Sequence, residues 1–500
     1  MNKKIIIVIL LILILIAGCS NEESHELLLI DGITNEETKI VFNKDKIVLS
    51  ELSIKIKEDY VFLGWSIDNK IILDNDIELD IKETKILYSM WKEKKDYLKI
   101  FDIGSIGRID IKVNDPIVSK EDYVDAEYSL QMNDYQLNNV AGKIRLRGNS
   151  SLSAPKKSYK IKFENKQEVF GFKADKEWAL IANYYDPSLV RNFYAYRLAT
   201  AMGILYSVDC CFAEVYLNDS YNGLYLLCET VKTGKNRVNI EIDYDENIMD
   251  IPFLLELDYK MIDSSDPLSN GIKNVDYFEL DMDKEWGKIY PIGTKYPKSY
   301  TDLNNYQFEA LKTFVETAFK STRTNYYDKY FDVDSVINFF FIQELMMNVD
   351  CDYSSVYFYH AQGDKIKFGP VWDFDISCGN CNYLANYRAD RLMNDTNNYS
   401  RLFYDLLEHN DFRIKFVKKL NEINRDIIPY MLESIDNTYK SLNSYAKKDN
   451  ERWNTLNSNY WPKPYYLVGI SYYDQLNYLK EYITEHLVMM LKRITIEELK

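Results

Sequence analysis

The stretch from Lys143 to Phe163, KIRLRGNSSLSAPKKSYKIKF, leaves a chain few ways to fold around it. KIRLR and KSYKIKF alternate apolar and polar residues with the two-residue period of half-buried strands. The segment between them, Gly148 to Pro155, is small and hydroxyl-rich, so a hairpin is predicted. The stretch holds Lys143, Arg145, Arg147, Lys156, Lys157, Lys160 and Lys162 and no acid, in a chain with 77 acidic and 61 basic residues and a net charge of −16. Two readings fit. Backbone N–H groups and Ser hydroxyls of such a loop can approach an anion while Lys and Arg supply charge, which makes a phosphate cradle. Alternatively, lysines on an edge strand block unwanted pairing and need no ligand. The overall acidity repels phosphate backbones, so nucleic acid is excluded as a main partner.

A second hairpin is predicted from Phe212–Leu217 and Leu224–Glu229, with its turn over Asn218–Gly223. Between the hairpins, Asp186 is expected to cap a helix whose first residue is Pro187, with Val190, Tyr194, Leu198 and Ala201 as its buried stripe. Arg191 near the first turn opposes the helix dipole, which points to an ion pair with a carboxylate or to a phosphate. Val336–Met347 (VINFFFIQELMM) reads as a buried helix with Asp332 and Asp334 as capping candidates. It leads into Asn348-Val-Asp350-Cys-Asp352. Val356–His360 and Lys365–Phe368 form a third hairpin. Pairing His360 with Lys365 sets Asp373 opposite Asp352 and Asp375 opposite Asp350, so these four carboxylates are expected to converge. Together they repel unless a cation or a pKa shift intervenes. Such oxygen donors suit Mg²⁺, and an Asp there can act as a general base. The structural alternative is an acidic turn beside a buried Trp372. From Tyr300 onward the pattern is chiefly helical, with Phe308, Leu311, Val315 and Ala318 as one stripe. Strands early and helices late predict an α+β chain.

The N-terminus carries an address. Lys3 and Lys4 precede an apolar run, Ile5 to Ile16, too short to span a bilayer comfortably but suited to a signal peptide, with a transmembrane segment as the alternative. Ile16-Ala17-Gly18-Cys19 resembles a bacterial lipobox, with cleavage before Cys19 and acylation of its thiol. Residues 1–18 are then a signal peptide and 19–24 an acidic stalk, with the protein lipid-anchored on the extracytoplasmic face of the cell membrane. Loss of the two lysines moves the net charge from −16 to −18. Residues 25–94 are a run of short β-branched segments and polar turns, expected to form a small β-grasp-like module with Trp65 and Trp91 in its core. Tyr60-Val-Phe-Leu-Gly64-Trp65 and Ile86-Leu87-Tyr88-Ser89-Met90-Trp91 resemble the InlB-type B-repeat of bacterial surface proteins, which implies a spacer or adhesive role. The six remaining cysteines are too irregular for a disulfide scaffold. Cys378-Gly-Asn-Cys381 has no second CxxC to complete a zinc site, so a local disulfide or a role as small apolar residues is expected.

The stretches IRLRGNSS, PKKSYKIKF, WALIANYYDPSLVRNFYAYRLA, VYLNDSYNGLYLLCETV, FLLELD, ELMMNVD and FGPVWDFDISCG together resemble the CotH kinase family, whose namesake is spore coat protein H. The resemblance implies an atypical protein-kinase-like fold over residues 98–500, with a β-rich N-terminal lobe and a helical C-terminal lobe. It also implies Mg²⁺-dependent transfer of phosphate from ATP to Ser or Thr of secreted, envelope or coat proteins. Carried over by motif, Asp350 is the catalytic base and Asp373 the metal-binding acid, with Asp375 beside it. Lys157 is the strand lysine that neutralises phosphates, Arg147 and Gly148 belong to the phosphate-side loop, and Glu229, at the end of the second hairpin's return strand, is a further cofactor-binding residue. The family often has Asn where this chain has Ser355, and an aromatic where it has Cys378. The first departure puts a second metal in doubt, with Asp352 as a candidate replacement. Two other readings stay open: an inert binding or adhesion lipoprotein on a kinase-like scaffold, and a nucleotide-sugar transferase using Asp373-Phe-Asp375 as its D-x-D.

Overall fold

The computed structural model describes residues 24–496, except 56, 58, 71, 74–76, 241–248, 260–276, 282–288, 299–301, 352 and 396–400. Cys19 with its apolar run, and Asp352, lie outside the described residues. Among those described, no helix is long and apolar enough to cross a membrane. The chain divides into two compact units, residues 1–96 and 97–500.

The first unit contains strands β1 (His25–Asp31), β2 (Glu37–Phe42), β3 (Lys46–Val48), β4 (Tyr60–Ser66), β5 (Glu78–Asp80) and β6 (Ile86–Glu93). Four of them form a sheet of order β2-β1-β6-β4, in which β1 and β6 run parallel, and β3 pairs with β5. Leu27, Leu29, Ile47, Leu49, Trp65, Leu79, Ile81 and Leu87 make one core. Trp65 belongs to that core as expected. Trp91 is only half-buried, edge-on to Phe62 at 5.2 Å, with its indole N–H donating to Ser89 Oγ (2.7 Å).

The second unit is built on a closed barrel of seven strands: β7 (Gly107–Val113), β8 (Val124–Met132), β9 (Tyr135–Arg147), β10 (Ser158–Val169), β11 (Phe172–Ile181), β12 (Cys210–Leu217) and β13 (Ser220–Glu229). The order around it is β10-β11-β13-β12-β7-β8-β9. The strands and their late helices bear out the α+β class, but closure into a barrel goes beyond the expected β-rich portion. The predicted basic hairpin is β9 and β10, with Arg147 opposite Ser158, Arg145 opposite Lys160 and Lys143 opposite Lys162. Ile144, Leu146, Tyr159, Ile161 and Phe163 alternate into the barrel core. Both strands have neighbours on either side, since β9 also pairs with β8 and β10 with β11, so the edge-strand alternative fails. Cross-strand like charges destabilise a ladder, and Glu177 on β11 relieves them through Lys160 (3.1 Å) and Lys162 (3.8 Å). The second hairpin turns more tightly than expected, on Asn218-Asp219 alone, both at positive φ (47° and 62°). That geometry matches the twist of adjoining strands and suits Asn and Asp.

Beyond the barrel, β14 (Phe253–Leu257), β15 (Tyr277–Asp281), β16 (Ile289–Tyr296), β17 (Val356–His360) and β18 (Lys367–Phe368) form an antiparallel sheet of order β15-β16-β14-β17-β18. The helices are α1 (Lys94–Phe101), α2 (Arg191–Ala201), α3 (Asn305–Ser321), α4 (Val333–Leu345), α5 (Arg401–Leu407), α6 (Asn410–Asp426), α7 (Ile428–Trp453) and α8 (Tyr472–Ile496). In α3, Leu311, Val315 and Ala318 are buried as predicted. Asp332 caps α4 by accepting from Ser335 N (2.9 Å), and every residue from Val336 to Leu345 is buried. The helix expected from Pro187 starts instead at Arg191. Asp186 still serves its first turn by accepting from Arg191 N (2.8 Å), across a tight turn in which Leu189 takes φ 66°.

Candidate functional site

The barrel ends at the site through the turn between β9 and β10. Gly148 sits at φ 107°, and a Cβ there would lie 1.9 Å from Ser151 Oγ, so the chain folds back on its own hydroxyls. Lys157 Nζ donates to Leu152 O (2.6 Å), which holds its ammonium against the loop. Lys156 takes another course. It is fully buried, paired with Asp449 of α7 (2.8 Å), and donates to Leu224 O (2.6 Å). Of the two adjacent lysines, one fastens barrel to helix and the other stays with the loop.

The acidic segments approach from the end of α4 and from the irregular segment after β18. The expected register is off by one. Phe358 pairs with Phe368 and Tyr359 with Lys367, and the ladder ends there. The acids therefore do not face each other across a ladder, because a one-residue slip changes which side chains are opposed. A side chain joins the two turns instead. Asn348 Oδ1 accepts from Asp350 N (3.2 Å), and its Nδ2 donates to Asp373 O (3.5 Å). Cys378 N donates to Met346 O (2.7 Å), which ties the end of the WDFD segment to the end of α4. Met347, Ser355, Asp373 and Cys378 all take positive φ. Non-glycine residues accept that cost where the surroundings over-determine the backbone, as at functional sites.

Helix α2 supplies the clamp. Its Asn192 Oδ1 accepts from Phe374 N (2.7 Å). Arg191, fully buried, pairs with Asp186 (2.5 Å) and donates from Nε to Ser377 O (2.9 Å). The ion-pair alternative for Arg191 is thus the one realised. Asn380 Nδ2 bridges Asp375 O (2.7 Å) and Tyr185 O (2.6 Å). Tyr185 Oη in turn lies 3.0 Å from Ser153 Oγ on the hydroxyl loop.

A second link between basic and acidic parts is direct. The Arg147 guanidinium lies over the Trp372 ring at 4.8 Å, and Trp372 immediately precedes Asp373. The same indole stacks with Tyr196 of α2 at 5.6 Å. Trp372 is therefore more than a buried neighbour of an acidic turn: it joins Arg147 to the aspartate segment. Tyr357 adds two acids missed by the sequence reading. Its hydroxyl bonds to Glu256 of β14, and burial pushes its pKa well up, helped by Glu256 and Asp258 and opposed by Arg147. The FLLELD stretch carries both acids, yet their approach to Arg147 depends on the β14–β17 pairing. Burial likewise raises the Tyr383 hydroxyl, with Asp350 and Asp375 both contributing, so these two carboxylates share one neighbour.

Glu229 does not join the loop lysine. Its carboxylate pairs with Arg237 (2.6 Å) and accepts from Asp209 N (3.3 Å). Burial pushes its pKa up to about 7 against the pull of Arg237. Among the described residues, no three His, Cys, Asp or Glu side chains group closely enough to hold a metal, so the expected knot of four carboxylates is not formed by those described. Cys378 and Cys381 are free, fully buried and unbonded to each other, and burial pushes both thiols up to about 12. Of the two roles expected for them, the small apolar one holds.

A hydroxyl-lined turn and a stacked arginine are thus joined to turns bearing aspartates. The chain belongs to the CotH kinase family: the family model described as CotH kinase protein matches residues 144–490, more than two thirds of its length. No curated protein matches it.

Proposed function

We propose that this chain is a lipid-anchored protein kinase that transfers the γ-phosphate of ATP, with Mg²⁺, to Ser or Thr of secreted, envelope or coat proteins. The observation that carries the reading is Arg147 stacked on Trp372, one residue before Asp373. Phosphoryl transfer needs little beyond positioning and neutralisation of charge. The donor set fits both groups. Gly148 lets the turn bring Ser151 Oγ close against the backbone, so Ser151 with Arg147 and Lys157 on either side would offer donors and charge to phosphate oxygens. Mg²⁺ commonly takes one or two carboxylates and leaves the rest of its shell to phosphates and water. Asp373 and Asp375 would hold it, where it would neutralise charge on the phosphates. Asp350 would orient the acceptor hydroxyl and take its proton. Asn348 and the α2 clamp keep these turns in place, and Tyr357 with Glu256 fixes the surroundings of Arg147.

Protein lacking residues 1–20 is expected to transfer labelled γ-phosphate to protein, and Asp373→Ala to abolish transfer. Equal transfer by that variant refutes the site. Ser355, at a position where the family often has Asn, favours a second reading: an inert adhesion lipoprotein. Calorimetry decides between them, because an inert scaffold gives no heat with millimolar Mg-ATP. Anchoring at Cys19 is tested by metabolic labelling with a radioactive fatty acid, which Cys19→Ala should prevent.

A further inference from the structure

The basic strands carry more cation than the nucleotide site uses. Away from the Gly148 turn, toward the middle of β10 and the start of β11, lies a surface cavity of about 250 Å³. Lys162, Lys166, Lys176, Lys232 and Lys235 line it, against two acids, Asp175 and Glu177. Both acids are already engaged. Lys232 reaches Asp175 at 2.9 Å and Glu177 at 3.6 Å, and Lys160 reaches Glu177 at 3.1 Å. Among the described residues, Lys166, Lys176 and Lys235 make no ion pair, and all three are exposed. Next to Asn236 of this lining, Arg237, 5% exposed, lies over the Trp178 ring at 4.7 Å, and among the described residues its Nε and Nη2 have no hydrogen-bond partner. Its Nη1 pairs with Glu229 (2.6 Å) and also donates to Asn236 O (2.7 Å) and Lys173 O (3.5 Å).

A solvated surface intersperses charges of both signs. Here the lysine-lined cavity leaves three cations without an ion pair among the described residues, in a protein of net charge −16. Lysines act as mobile point charges, which suits a tetrahedral oxyanion better than a planar carboxylate needing a fixed fork. We propose that this cavity is a second anion site that binds a phosphoryl dianion, either on a phosphorylated Ser or Thr of a polypeptide or as free phosphate or pyrophosphate. Its position five residues and more along β10 from Lys157 separates it from the nucleotide turn, about 16 Å at strand rise. The assignment does not depend on catalysis at the aspartates.

The test is calorimetric titration of the whole chain carrying Asp373→Ala, so that transfer plays no part. Titrants are pyrophosphate, a phosphoserine peptide and its unphosphorylated twin. Binding of either phosphoryl ligand, weakened at least tenfold by Lys166→Gln/Lys176→Gln/Lys235→Gln and unchanged by Lys415→Gln/Lys447→Gln, supports the site. Preference for the phosphopeptide over pyrophosphate assigns a polypeptide source, and the reverse a free one. Absence of binding by both, or equal loss in the two lysine variants, overturns the proposal. Mg-ATP binding by each lysine variant, measured with Asp373 intact, reports separately on the nucleotide site.

Discussion

Replacing Arg191 with methionine removes one partner from a fully buried pair while keeping much of its volume. Asp186 would retain hydrogen bonds from Ser188 N (3.0 Å), Ser188 Oγ (2.6 Å) and Arg191 N (2.8 Å), but no counter-charge from that side chain. Removing one member of a buried ion pair costs about 3–5 kcal/mol, because the remaining charge stays desolvated. Ser377 O and Cys378 O would also lose the donors at 2.9 and 3.3 Å. Each such loss adds about 1 kcal/mol. The sum is a large part of the ~5–15 kcal/mol that holds a domain folded. Guanidinium unfolding followed by tryptophan fluorescence should show a much lower midpoint for Arg191→Met. The double variant Asp186→Asn/Arg191→Met should recover part of the loss, since the stranded charge is gone. Mg-ATP affinity should fall in the single variant even well below its unfolding temperature, because Arg191 backs the turn that bears Asp375. A single variant within about 1 kcal/mol of the parent, or a double variant equal to the sum of two singles, would refute the reasoning.

Other outcomes follow from the same geometry. Glu229, raised to about 7, binds protons more readily folded than unfolded, so its contribution is full below about 4.5 and declines as pH rises through 7. Relative to Glu229→Gln, the parent should lose up to about 3 kcal/mol over that window, read from unfolding midpoints at several pH values. Gly148→Ala forces a side chain onto φ 107° against Ser151 and should cost about 1–3 kcal/mol, with weaker Mg-ATP binding by calorimetry. Cys378 and Cys381 should resist iodoacetamide at pH 8 until the chain is unfolded, as mass spectrometry would show, since only the thiolate reacts.

Local pattern was enough to read β9, β10, α3 and α4, because strand and helix periods and a capping Asp are written in adjacent residues. It also brought out the basic hairpin and the aspartates of NVDCD and WDFD, while the family resemblance picked Arg147 and Lys157 out of the hairpin. Local pattern misplaced the start of α2, where a tight turn held by Asp186 intervenes before Arg191. It could not separate Lys156 from Lys157, identical in type and adjacent. Only α7, nearly three hundred residues later, supplies the Asp449 that buries one of them.

What the sequence by itself determined is which residues carry charge and which short segments alternate or repeat with a regular period. Tertiary structure alone decided that the basic hairpin is wall and not edge, that Trp372 carries Arg147, that Asn348 joins the two aspartate turns, and that Asn380 ties the second of them to Tyr185. The physical reason is range. Periodicity is a property of neighbours along the chain, whereas closure of a barrel and pairing of buried polar groups depend on partners that only long-range packing selects.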